Sequence, residues 1–289
     1  MIPPVFEYFR PKTLPEAFNL LKQYGEDAKI LSGGQSLIPM MKFRLARPGY
    51  LVDINRIDGL SYIKEEGGHL KIGGLTRESD IEHSPLIRSK YPLLFETASV
   101  IADPQVRNMA TVAGNLAHGD PANDHPATML ALGAQIVATS GSGERVIPIG
   151  EFFVSLLATA LKPGEILTEI RIPIPPERSG GAYLKLERKV GDFATAAVAA
   201  QITVDAKGVC QKAGIGLTNV GVTAVKAAKA EAFLQGKKLD EAAIRQAAQL
   251  AADEAEPASD LRGPAEYKKG LVKELTQRAL LRALERARK

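Results

Sequence analysis

The hydrophobic and polar positions divide the chain into stretches of different rhythm. Thr13-Leu14-Pro15-Glu16 is a capping box with proline in the first helical turn. Ala17, Leu20, Leu21 and Tyr24 follow at helical spacing, and Gly25 closes the helix. Ala28-Lys29-Ile30-Leu31 and Leu51-Val52-Asp53-Ile54 read as strands, with one or two helical turns between them over 37–43. Residues 1–55 are therefore expected to form a compact α/β unit.

From 56 to 176 the pattern predicts a strand over Leu70–Leu75 and buried helices over Leu93–Ile101 and Asp124–Leu132, the second ended by Gly133. A hairpin follows, Gln135–Thr139 with Arg145–Ile147 around Ser140-Gly141-Ser142-Gly143, and then an alternating strand over Ile166–Ile172. The proline and glycine density of Pro173 to Gly181 stops helix and strand alike, so this segment reads as a linker with a domain boundary after 176. Beyond it, three strands (182–188, 196–204, 209–217) precede three helices (222–234, 241–254, 264–287), which is α+β order. Between 101 and 126 the chain has little periodicity, and an irregular stretch of that length inside a compact domain is usually one that binds something.

Composition narrows the function classes. Apolar content of 45% and charged content of 24% suit a globular protein with a sizeable core. A net charge of +4 is too mild to argue for nucleic acid. Lys268 to Lys289 carries eight basic residues against two acidic ones, which reads as a solvated helix face. No segment reaches the roughly 18–20 apolar residues needed to span a bilayer, and Met1–Phe6 resembles no signal peptide, so the cytoplasm is the expected location. The single cysteine, Cys210, can neither form an internal disulfide nor hold an iron–sulfur cluster, which takes about four thiolates. His118 and His125, with Asp120 and Asp124 between them, match no metal-ligand spacing, and no metal site is assigned.

The chemistry-bearing features are two glycine turns about 80 residues apart, Leu31-Ser32-Gly33-Gly34-Gln35-Ser36-Leu37 and Ala110-Thr111-Val112-Ala113-Gly114-Asn115-Leu116. Such turns expose several backbone N–H groups together, and the missing Cβ lets a ligand approach. Ser32, Gln35 and Ser36 add side-chain donors suited to phosphate oxygens. Neither turn is a G-x-G-x-x-G dinucleotide fingerprint or a Walker loop. Together they suggest two loops clamping one extended anion, such as a dinucleotide pyrophosphate.

These residues carry a family resemblance. Ser32 to Lys42, Ala110 to Asn115, Asp120 to Ala127, and Lys185-Leu186-Glu187-Arg188-Lys189 with Gly191-Asp192-Phe193-Ala194 resemble the flavoprotein (medium) subunit of the molybdenum hydroxylases, the group of carbon monoxide dehydrogenase and xanthine dehydrogenase. The resemblance implies an α+β protein: a PCMH or vanillyl-alcohol-oxidase (VAO) type FAD-binding domain of two α/β subdomains (1–55 and 56–176), then a C-terminal domain (177–289) with a three-stranded antiparallel sheet and a helical bundle. FAD is the implied cofactor. Ile30 to Leu37 would wrap its pyrophosphate, Thr111 to Asn115 would also bind it, Asp124 would meet the ribityl or phosphate region, and Ile101, Ala102, Leu167 and Lys185 would lie along it. Phe193 is a candidate to stack near the flavin, and a cation at Lys185 would favour the reduced, anionic flavin. Gln35 replaces a histidine often seen in the carbon monoxide enzymes, and Ala113 a frequent glycine; neither change removes a backbone donor.

The implied role is electron transfer, with no general acid or base nominated in this chain. The implied partners are a molybdopterin-binding large subunit and a small subunit with two [2Fe-2S] clusters, in a dimer of heterotrimers. Two other readings remain open on the residues alone: a self-contained flavin oxidoreductase, and a non-catalytic dinucleotide-binding assembly module. Tyr62 and Tyr183 are read as packing residues, Met40-Met41 as core, and Tyr267, Leu271, Leu275 and Ala279 as a core-facing helical stripe.

Overall fold

The computed structural model describes residues 1–289. Its strands are β1 Glu7–Phe9, β2 Ala28–Leu31, β3 Tyr50–Asp53, β4 Ile63–Glu66, β5 His69–Gly73, β6 Gln135–Ser140, β7 Gly143–Pro148, β8 Phe153–Ser155, β9 Ala158–Thr159, β10 Ile166–Pro173, β11 Ser179–Leu186, β12 Ala196–Val204, β13 Cys210–Thr218 and β14 Val225–Lys226. Its helices are α1 Leu14–Tyr24, α2 Leu37–Lys42, α3 Glu78–His83, α4 Pro85–Lys90, α5 Pro92–Ser99, α6 Pro104–Arg107, α7 Val112–His118, α8 Asp124–Leu132, α9 Ala228–Leu234, α10 Glu241–Glu254 and α11 Ala265–Ala287.

The first unit is a parallel sheet in the order β1-β3-β2, backed by α1. Thr13 caps α1 by accepting from the Glu16 N–H at 3.3 Å, as the capping box predicts. The second is an antiparallel sheet in the order β4-β5-β10-β6-β7, with β10 at its centre because that strand is apolar enough to be covered on both sides. A bulge between Leu167 and Glu169 interrupts the β10–β6 pairing and re-aims the strand there. The third is an antiparallel sheet in the order β11-β12-β13-β14, with α9, α10 and α11 packed on one face. The fold is α+β throughout.

Several sequence expectations change in detail. The C-terminal sheet has four strands rather than three, because Val225–Lys226 pairs with Gly216 and Leu217 at its edge. For the same reason the helix expected from 222 begins only at Ala228. The supposed linker is a turn of five residues, 174–178; Pro173 still belongs to β10, and Ser179 already belongs to β11. Gly180 and Gly181 are there for packing: a Cβ on Gly180 would lie 2.1 Å from the Ala283 carbonyl oxygen of α11. The stretch from 101 to 126 is not irregular. It holds α6 and α7, whose N-caps Asp103 and Thr111 each accept the backbone N–H three residues on. Helices of one or two turns are too short to show periodicity. Lys268, read as part of a solvated face, is buried and pairs with Asp260 at 2.8 Å.

All nine residues of α8 are buried, and this helix joins the units. One side meets α5, α7 and β10; the other lies on β12 and β13. It fits because β13 presents Gly214 and Gly216 to it: Cβ atoms there would sit 1.9 Å from the Ala131 oxygen and 2.0 Å from the Ala127 oxygen. We expect Gly216→Ala to cost roughly 1–3 kcal/mol through overpacking, read as a Tm fall of about 2–5 °C. Gly270→Ala, in α11 with nothing within 4 Å of the added methyl, is the control and should raise Tm slightly. Equal behaviour of the two variants would contradict this account of the α8 contact.

Candidate functional site

A cleft of about 630 Å³ opens where the three units meet. Its walls come from the loop between β2 and α2, the segment from Ile101 to Asp124, the stretch from Leu157 to Leu167, and the end of β11 with the loop that follows it. Its size falls among small-molecule and cofactor sites, about 300–1,000 Å³.

The two glycine turns face each other across one end. Gly33 packs on the second turn so closely that a Cβ would lie 2.5 Å from the Met109 oxygen and 2.7 Å from the Ala110 Cα. Ser32 Oγ and Thr111 Oγ1 hydrogen-bond at 3.1 Å. A Cβ on Gly114 would meet those same hydroxyls, at 3.0 Å and 2.7 Å, so this glycine makes room first for the seam between the loops. Behind the seam runs a second connection that the sequence did not reveal. Asn55 donates to the Ser32 carbonyl at 2.8 Å, and Arg77 donates to Asn55 Oδ1 at 2.6 Å and to the Met109 carbonyl. The loops are thus tied carbonyl to carbonyl through two side chains.

Tying the carbonyls back leaves the amides forward. The backbone N–H groups of Gly33 to Leu37 find no acceptor within the chain. Asn115 Oδ1 is buried without a hydrogen-bond partner in the cleft wall. A row of unspent N–H groups that opens on two glycines suits phosphate oxygens, and an orphaned buried amide oxygen suits a hydroxyl or amine donor. The residues present therefore fit a dinucleotide carrying a pyrophosphate.

Ile30, Leu31, Ser32, Gly33, Gly34, Gln35, Ser36, Leu37, Ile101, Ala102, Thr111, Ala113, Gly114, Asn115, Asp124, Leu167, Lys185 and Phe193 all line this one cleft. Val112 does not; it is fully buried in the core, and its N–H donates to the Thr76 carbonyl at 3.2 Å. Ala102 holds a left-handed backbone (φ 46°), steadied by Arg107, which donates to the Ile101 carbonyl at 2.9 Å and pairs with Glu82 at 2.8 Å. Arg107 closes a one-turn helix begun by Asp103-Pro104, and that cap was its only trace in the sequence. Met40 lines the cleft, whereas Met41 is core.

The charged groups at the far end differ from expectation. Lys185 is neither a surface lysine nor a free cation. Its side chain is 4% exposed, donates to Asp124 Oδ2 at 3.0 Å and the Val100 carbonyl at 3.2 Å, and lies 3.3 Å from Glu187. Two carboxylates thus offset its charge. Asp124 spends its other oxygen on the Tyr183 hydroxyl at 2.6 Å, so Tyr183 is a hydrogen-bonding member of the site as well as a packing residue. Burial pushes the Asp124 carboxyl up, against the pull of Lys185 and Tyr183. Burial, then the neighbouring Asp124 charge, pushes the Tyr183 phenol well up, so it stays a donor. His118, on the cleft wall, is shifted down by burial, with Asp120 opposing, and this favours its neutral form. His125 is buried against Glu78, 2.7 Å away.

An α+β scaffold that aims two glycine loops into one cleft is that of a cofactor-binding flavoprotein, and comparison with known proteins agrees. Residues 4–175 match the family described as "FAD binding domain in molybdopterin dehydrogenase", and residues 181–283 match "CO dehydrogenase flavoprotein C-terminal domain". The chain is 46% identical to the carbon monoxide dehydrogenase medium chain of Afipia carboxidovorans, covering 100% of each. It is 39% identical to subunit alpha of the 6-hydroxypseudooxynicotine dehydrogenase complex of Paenarthrobacter nicotinovorans, covering 100% of this chain and 97% of that one. A solved carbon monoxide dehydrogenase from Hydrogenophaga pseudoflava superposes with a TM-score of 0.96 at 47% identity, covering 99% of each chain. The chain belongs to the FAD-binding subunit family of the molybdenum hydroxylases. Its cofactor is FAD, and it is an oxidoreductase subunit.

Gly33→Ala should force the loops apart at the Met109 carbonyl and weaken FAD binding by roughly tenfold or more, since overpacking costs about 1–3 kcal/mol. Fluorescence titration of the apoprotein with FAD reads this directly. An unchanged affinity would show that the cofactor does not use the loop apposition.

Proposed function

We propose that this chain is the electron relay of a three-subunit molybdenum hydroxylase, passing electrons from iron–sulfur clusters on a small subunit to an external acceptor. The observation that carries the reading is the cleft end where Ser32 meets Thr111 and the amides of Gly33 to Leu37 stand unspent. Bound FAD supplies the redox chemistry, taking up electrons singly and delivering a pair. The chain's own residues do the holding. Gly33, Gly34, Gln35, Ser36 and Leu37 direct amides at the pyrophosphate, with Thr111, Ala113 and Gly114 facing them. Ile101, Ala102 and Leu167 supply apolar walls, and Asn115 an acceptor for a hydroxyl or amine. Tyr183 and Lys185 fix Asp124 as a buried, fully bonded carboxylate.

The large molybdopterin subunit would carry the substrate chemistry. The relatives support this division, because chains 46% and 39% identical to this one are subunits of enzymes named for substrates as different as carbon monoxide and 6-hydroxypseudooxynicotine. We place the assembly, a dimer of heterotrimers, in the cytoplasm; no helix of the chain is long and apolar enough to cross a membrane. Affinity purification of the tagged chain from its own cells should bring down two further subunits, with molybdenum and iron in the preparation and a flavin that bleaches when the enzyme's substrate is added anaerobically. A chain that purifies alone and oxidises a small substrate with its own FAD would replace this reading with that of a self-contained enzyme.

A further inference from the structure

The loop after β11, residues 187–193, borders the cleft through Gly191, Asp192 and Phe193. Phe193 is 47% exposed and has little apolar packing to fix its ring. What fixes this loop is polar and comes from a distant part of the chain. Asp192 accepts from Arg188 at 2.9 Å, from the Phe193 N–H at 2.8 Å, and from Arg262 at 3.0 Å, seventy residues further on. The Arg262 guanidinium also lies over the Phe193 ring, 5.8 Å from its centroid, within cation–π range.

Arg262 is itself held firmly. Asp260 and Gly263 exchange two backbone hydrogen bonds of 3.1 Å, closing a tight turn around it. Asp260 accepts the Arg262 N–H at 2.8 Å and the buried Lys268 ammonium of α11 at 2.8 Å. On the opposite side, Gly191 seats the loop on the wall: a Cβ there would lie 2.7 Å from the oxygen of Ala102, the residue with the left-handed backbone. The contacts run from α11 through Lys268, Asp260, Arg262 and Asp192 to Phe193. Burial alone would raise the Asp192 carboxyl, but the hydrogen bonds from Arg262, Arg188 and the Phe193 N–H outweigh it and bring it down to about 2, so the anion persists across the ordinary pH range.

We propose that Arg262 is a positioning residue: acting through Asp192, it sets Phe193 over the cleft and so controls how tightly the flavin end of FAD is covered. The inference rests on FAD occupying this cleft. It assigns a cofactor-covering role to a turn of the C-terminal unit that does not line the cleft.

The test uses the full chain loaded with FAD and measures the FAD dissociation rate together with the visible circular dichroism of the flavin. Arg262→Ala and Phe193→Ala should each speed release roughly tenfold and alter the dichroism in the same sense. The double variant should be no faster than the faster single one, since the two residues act as one unit. Arg262→Lys, which keeps the cation, should recover part of the loss, and far-ultraviolet dichroism confirms the fold of each. Unchanged release and dichroism in Arg262→Ala, or effects of the two substitutions that multiply, would overturn the proposal while leaving FAD binding intact. A wild-type chain that takes up no FAD would instead overturn the cofactor assignment itself.

Discussion

The structure depends on the burial of α8 between two sheets. A helix can lie this close to β13 only where the strand has no side chains to offer, and Gly214 and Gly216 supply that surface. The gain is twofold. The contact welds the C-terminal sheet to the N-terminal units, so that the core containing Leu116, Met129 and Ile136 also takes in Tyr183, Ala197 and Ala199 from beyond the turn at 174–178. It also fixes Asp124, the first residue of the helix, at the floor of the cleft. Packing at one face of a helix therefore determines where a carboxylate stands at its end.

The polar groups around the cleft follow a consistent division. Side chains are spent on carbonyls and on one another, and backbone amides are left for a ligand. Asn55, Arg77 and Arg107 hold carbonyl oxygens of the loops from behind. Lys185, Asp124 and Tyr183 form a buried cluster, with half-buried Glu187 at its edge, in which the ammonium and the hydroxyl meet Asp124 directly. Breaking such a buried pair by removing one partner costs about 3–5 kcal/mol, so the cluster behaves as structure first. Two carboxylates against one ammonium give the cleft floor no surplus of positive charge, and Lys185 alone does not set the field there.

The sequence showed the long elements well. The cap at Thr13, the hairpin about Ser140–Gly143 and the alternation of Ile166–Ile172 each contain a complete local signal, and each appears as expected. The glycine turns were legible as a pair because their composition and joint spacing match a family pattern. Short elements were not: α6, β1 and β14 run four residues or fewer and owe their existence to neighbours that only the tertiary fold supplies. The same holds for Arg77, Arg107 and Arg262. An arginine acting across 22 to 70 residues has no local signature, and the sequence cannot tell it from a solvated one. Lys185 was found as a site residue, but its two carboxylate neighbours, which decide its electrostatic effect, depend on where α8 and the β11 loop are folded.

The proposed grip of the opposed glycine loops on a pyrophosphate makes binding depend on the dinucleotide and not on the flavin ring alone. Isothermal titration of the apoprotein with FAD, FMN and ADP compares the three ligands at one site. FAD should bind far more tightly than FMN, and ADP should compete with FAD. FMN binding as tightly as FAD, with no competition from ADP, would contradict it.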